Sequence, residues 1–219
     1  AILLLAVSPS LAEKWISEIS GDTQMCSCAV ARECKAAAKK SINRCMEECE
    51  EELEQYGSQT GAYRSCFQEN PAAITEAEHC VFKDIDDYCV TRGSEERFIE
   101  NPKWEELTSI KYDDARYVYH HEGVWRSHEP KYSRMQDYLQ CTKNCMHKRL
   151  QACTEDKSCA IRMPETYELR RQMRDCMKRN DKIAKAMLAT CQCLAWKKGV
   201  AELRGACAII GNSYYIDRA

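Results

Sequence analysis

Sixteen cysteines fall into two blocks of eight, with fifty-one cysteine-free residues between them. The first block is Cys26, Cys28, Cys34, Cys45, Cys49, Cys66, Cys80 and Cys89; the second is Cys141, Cys145, Cys153, Cys159, Cys176, Cys191, Cys193 and Cys207. Sixteen thiols in 219 residues is too dense for a reducing compartment unless the thiols hold metal. The spacing speaks against metal. Zinc ligands come in C-x-x-C or H-x-x-x-H units, whereas the short spacings here are C-x-C (Cys26/Cys28, Cys191/Cys193) and C-x-x-x-C (Cys45/Cys49, Cys141/Cys145). No metal and no cofactor is expected. The equal, even split predicts one disulfide-stapled module occurring twice, each copy sealed by its own four bridges.

The opening residues, Ala-Ile-Leu-Leu-Leu-Ala-Val and then Ser8-Pro9-Ser10-Leu11-Ala12, read as a remnant of a secretory signal peptide (residues 1–12) with small residues at the cleavage site. A buried apolar strand or the start of a core helix is the alternative. Signal and cysteines together predict secretion, with a soluble mature chain from about Glu13. No other run approaches the roughly 20 apolar residues of a membrane span.

The expected fold class is all-α: two small disulfide-stapled helical modules, 13–91 and 133–219, joined by an aromatic-rich connector, 92–132. The modules share a frame. Sixteen residues separate Cys49 from Cys66 and Cys159 from Cys176, an internal repetition that bears on fold. Segment 29–55 has no Gly or Pro and is rich in Ala, Lys, Arg and Glu, so it predicts helix that Gly57 stops. Cys45 and Cys49 sit one turn apart on one face, which Leu53 and Tyr56 continue; Glu47, Glu48, Glu51, Glu52 and Glu54 mostly cover the other. Cys141 and Cys145 repeat that placement on a helix expected to start near Ser133, and another helix is expected from about Pro164 to Ala189. Two cysteines one turn apart can staple a helix to two neighbours, or twice to the same one. Strand signals are scarce. Modules of this size bury a modest core, and each native disulfide adds roughly 2–4 kcal/mol. Eight cysteines allow 105 pairings, and spacing does not choose among them. The connector holds Trp104, Tyr112, Tyr117, Tyr119, Trp125 and Tyr132. It is expected to pack across one or both modules, with a partner-binding strap as the alternative. His120, His121 and His128 read as an exposed loop or, alternatively, a binding site.

Charge is divided unevenly. Residues 13–91 carry 8 Lys and Arg against 16 Asp and Glu, whereas residues 131–219 carry 18 against 9. Arg170, Arg171, Arg174, Lys178, Arg179, Lys182 and Lys185 lay a basic stripe on one expected helix. The stripe reads as a solvated face, as a surface docking the basic module on the acidic one, or as a binding surface for sulfated glycans. Nucleic acid is not an expected partner, since no recognised binding motif occurs.

The run Cys26-Ser-Cys28, Cys34, Cys45-Met-Glu-Glu-Cys49, Cys66-Phe, Cys80 and Cys89-Val resembles small helical cysteine-rich domains of secreted nematode proteins, the chondroitin proteoglycan 4 domain family. The resemblance covers about residues 26–90. The second block departs from it, with its C-x-C moved to the end as Cys191-Gln-Cys193. It implies an extracellular protein able to carry chondroitin chains, with no catalysis. The one Ser-Gly dipeptide, Ser20-Gly21, lies between Glu18 and Asp22, so Ser20 is the candidate glycosaminoglycan attachment site; a turn or helix cap is the alternative. No Asn-x-Ser/Thr sequon is present.

Neither G-x-S-x-G nor H-E-x-x-H occurs, and phosphate-cradling Gly-rich loops are also lacking. Fully paired cysteines would leave no thiol nucleophile, although the two C-x-C pairs could serve as exchange sites. The expected function is that of a non-enzymatic component of extracellular matrix or fluid, carrying glycan or binding another protein. A secreted ligand for a receptor is the alternative, and a protease inhibitor a weaker third.

Overall fold

A computed structural model describes residues 22–81, 88–91, 97–102, 104, 124–165, 167–169, 171–172, 175 and 180–208. The described residues are mostly helical, with two three-residue strands: β1 (Asp22–Gln24), α1 (Cys28–Lys40), α2 (Ile42–Glu48), a 3-10 turn (Glu50–Tyr56), α3 (Thr60–Glu69), α4 (Ala72–Val81), β2 (Phe98–Glu100), α5 (Val124–Asp156), α6 (Asp181–Gln192), a π-helical turn (Cys193–Lys197) and a last 3-10 turn (Ala201–Leu203).

Local chemistry explains the boundaries. Ser27, in extended backbone, accepts a hydrogen bond from the Val30 amide and caps α1, while Lys39 and Lys40 sit at its negative end. The helix expected over 29–55 is interrupted at Ser41, whose hydroxyl donates to the Ala38 carbonyl at 2.7 Å. That bond draws the backbone out of the α ladder, and α2 restarts one residue later. Gly57 ends the run with φ +135°, a region open only to glycine.

The 33-residue α5, about 50 Å long, organises the molecule. It packs along α1, α2 and the first 3-10 turn. Cys34 bonds Cys153, Cys45 bonds Cys145 and Cys49 bonds Cys141. Partner numbers fall as the first strand of partners rises, so the two helical runs are antiparallel and stapled as a ladder. Cys45/Cys49 and Cys141/Cys145 therefore staple twice to the same neighbour, the second of the two arrangements their spacing allows.

The helical fold class holds, but closure within each block does not. Among the described bridges, Cys26–Cys159, Cys34–Cys153, Cys45–Cys145, Cys49–Cys141 and Cys66–Cys193 join the two blocks. Cys28–Cys89 closes within the first and Cys191–Cys207 within the second. The side chains of Cys80 and Cys176 lie outside the described residues. An even count in each block permits internal pairing without requiring it, and α5 folding back along the first block brings opposite cysteines into reach.

Two cores do form, each from both halves of the sequence. One gathers Met46, Leu53, Phe67 and Ile74 with Met135, Tyr138, Leu139, Leu194 and Leu203. The other joins Ala31 and Ala38 to Leu150, Ile161 and Leu169, with Trp104 of the connector packed against it. The cores are divided along the length of α5 rather than along the chain.

The segment before α1 threads a small knot of backbone pairing. β1 runs antiparallel to β2, the Cys26 amide donates to the Ala160 carbonyl at 2.8 Å and the Cys28 amide to the Val90 carbonyl at 2.9 Å. Through β2 and Trp104 part of the connector packs on the body, and its last residues, 124–132, already belong to α5, which starts earlier than the expected Ser133. The rest of its aromatic side chains, Tyr112, Tyr117, Tyr119, Trp125 and Tyr132, and the histidines His120, His121 and His128 lie outside the described side chains.

Candidate functional site

Where α4 meets the middle of α5, three ionisable side chains are drawn inside. Lys143 is 1% exposed and His147 3%. Glu78 reaches them from α4, its Oε1 lying 3.2 Å from Nε2 of His147, a distance suited to an ion pair but off the line of a good hydrogen bond. Burial pulls the Lys143 ammonium down to about 8, and the neighbouring Glu78 charge only partly restores it. A charged group survives inside a protein only when paired. The cluster thus places a costly, only partly compensated charge between α4 and α5, beside a seam the disulfide ladder fixes. With Lys143 almost wholly closed to solvent, its lowered basicity bears on stability.

The cluster has a legible signal that the sequence reading did not use. Lys143 and His147 are one turn apart in the apolar stripe Met135, Leu139, Met146, Leu150 of α5, where a basic residue is enclosed by its neighbours. Glu78 carries no comparable mark, because it meets them only through tertiary packing. Among the described residues no group of His, Cys, Asp or Glu is arranged to hold a metal ion.

The basic stripe is only partly described, and its continuous helix is corrected. Pro164 and its neighbours are non-helical, and α6 begins afresh after Asn180, whose backbone is extended (φ −99°, ψ 92°) and whose side chain accepts from the Lys182 amide at 3.1 Å. Asparagine favours this capping role over a place inside a helix. Arg171 is exposed and lies 3.8 Å from Glu168, Lys182 lies 3.5 Å from Glu76, and Lys185 is exposed. The side chains of Arg170, Arg174, Lys178 and Arg179, and Ser20, lie outside the described residues.

Charge complementarity runs across the two halves. Arg149 meets Glu48 at 2.6 Å, Lys157 meets Glu33 at 3.5 Å and Lys197 meets Glu69 at 3.4 Å. Lys182 and the Asn180 amide, the latter 3.0 Å from Glu76, complete the set; the amide foremost, against the opposing effect of burial, holds the Glu76 carboxyl below its usual range. Of the stripe itself only Lys182 pairs across the halves in the described residues, Arg171 pairing locally with Glu168, so these contacts lie mostly outside the stripe. Exposed pairs of this kind are worth at most about 1 kcal/mol each, so they select the fit more than they hold it.

No described cysteine is free. The C-x-C cysteines part to different partners, Cys26 to Cys159 and Cys28 to Cys89, Cys191 to Cys207 and Cys193 to Cys66. Among the described residues no helix is long and apolar enough to cross a membrane. Fold and site together define a helical, disulfide-laddered protein with a buried ionisable cluster. No family model, curated protein or solved structure matches the chain.

Proposed function

We propose that this chain is a secreted, non-enzymatic component of the extracellular matrix or fluid that works as a rigid carrier, bearing chondroitin or holding another protein. The observation that carries this reading is the set of five bridges between the halves. They persist only in an oxidising compartment and they fix the relative positions of the helices, which suits presentation of a surface better than conformational work. Pairing of the described cysteines also removes them as nucleophiles. Exposed aromatics favour the protein-binding form: Tyr167 is 77% exposed and Trp196 54%, and such rings commonly anchor interfaces.

The glycan-bearing form rests on the likeness of residues 26–90 to chondroitin proteoglycan 4 domains and on the acidic surroundings of Ser20. Chondroitin lyase treatment of the natural protein tests it. A sharp gain in gel mobility, lost in Ser20→Ala, is the expected result; unchanged mobility of the untreated and treated protein rejects the glycan and leaves protein binding. That form is tested by capture of a stoichiometric extracellular partner, with Trp196→Ala and Tyr167→Ala weakening it by about tenfold or more together.

A further inference from the structure

Thiol–disulfide exchange requires a thiolate to reach one sulfur of a bridge, so access decides which bridge reacts. The four C-x-C cysteines, whose spacing allowed such a role, are buried, and so are the partners to which they are bonded. The ladder differs. Along the seam of α2, the first 3-10 turn and α5 runs an open groove of about 730 Å³, lined in part by Cys49, Cys141 and Cys145. Cys141 and Cys145 are half-buried, whereas their partners Cys49 and Cys45 are buried. Each of these two rungs therefore turns its α5 cysteine toward the groove.

The two rungs are not equally open. Arg44 at 3.0 Å and Arg149 at 2.6 Å both hold Oε1 of Glu48, which leaves Oε2 of that carboxylate 3.3 Å from the Cys145 sulfur. Among the described residues no side chain covers the Cys141 sulfur in this way. Cys153, the half-buried partner of Cys34, is not among the residues of the groove. We propose that Cys141 is a thiol-exchange site, at which an external dithiol opens the Cys49–Cys141 bridge while the rest of the ladder stays closed. The attacking thiolate forms an S–S bond to Cys141, and the Cys49 sulfur leaves as a thiolate. The second thiol then closes the reagent's own disulfide and releases the Cys141 thiolate. Two electrons pass from the dithiol to the bridge, and its two protons end on Cys49 and Cys141. Cys49–Cys141 is the last rung, beside the 3-10 turn, so its opening loosens one end of the seam without parting it. The site does not depend on whether the chain carries glycan or protein.

The test exposes the full, oxidised chain to limiting dithiothreitol without denaturant, blocks released thiols with iodoacetamide and maps the labelled and the still-bridged peptides. Labels are expected first on Cys49 and Cys141, about tenfold faster than on any other described bridge, as access to one sulfur implies. The near-UV signal of the folded protein is expected to persist at that stage. Glu48→Ala, at an exposed position, removes the cover over Cys145 and is expected to bring opening of Cys45–Cys145 to within about threefold of the first rung. The unaltered chain alone decides the order of opening should that variant not fold. Another described bridge opening first overturns the proposal. So do simultaneous release of all bridges, which marks reduction through global unfolding, and a folded Glu48→Ala protein in which Cys45–Cys145 opens no faster than before.

Discussion

Lys143 shows how one enclosed side chain ties stability to pH. Its ammonium is lowered to about 8 from an ordinary 10.5, mainly because burial disfavours the charge. Between those values the unfolded chain binds the proton and the native chain does not, so stability rises with pH across the window and the full penalty is present below about 8. A shift of this size corresponds to about 3 kcal/mol. Lys143→Met is expected to flatten the dependence and to gain most of its benefit at neutral pH; urea unfolding at pH 7 and pH 10 measures both. A parent protein equally stable at the two values would contradict the assignment. Tyr138 makes a different contribution. Its ring lies 4.4 Å from that of Phe67, its hydroxyl donates to the Met46 carbonyl at 3.1 Å, and burial raises its hydroxyl well above the usual range. Tyr138→Phe keeps the ring packing and loses the bond, for about 1 kcal/mol, read as a lower midpoint at unchanged denaturant slope.

At the scale of elements, boundaries depend on two small residues whose roles differ. A Cβ at Gly57 would stand 2.9 Å from the Tyr63 hydroxyl, the same group that donates to the Tyr56 carbonyl. Gly57→Ala therefore adds strain at positive φ and displaces that bond, at about 2 kcal/mol; thermal unfolding gives the value, and a change near zero would mean the turn relaxes freely. Asn180→Ala removes both the cap of α6 and the contact to Glu76, for about 1 kcal/mol, detected as faster amide exchange at the start of α6. The stop at Gly57 and the buried face of Cys45, Cys49 and Leu53 were legible from composition and periodicity. The breaks at Ser41 and Asn180 were not, because each depends on a side chain competing for backbone partners, which the pattern of apolar residues does not record. Lys143 and His147 could have been found from their place in the α5 stripe, whereas the pairing of Glu78 with them is a tertiary fact.

For the molecule as a whole, sequence blocks and physical units do not coincide. Two equal sets of cysteines suggested two separable bundles, yet five of the seven described bridges and both cores unite residues from each half. Pairing is decided by which helices lie together, and α5 lies along α1 and α2. Cooperative unfolding follows, since neither half retains a core when the other is removed. A protease site inserted within the connector, after residue 110, makes the consequence measurable. Cut protein is expected to run as one species without reductant and as two with it, and to unfold in a single transition coincident by far-UV and near-UV signals. Non-reducing peptide mapping should recover Cys34 linked to Cys153 and Cys66 linked to Cys193. Two fragments separating before reduction, or two resolved transitions, would return the molecule to a pair of self-closed modules and dissolve the seam in which the buried cluster sits.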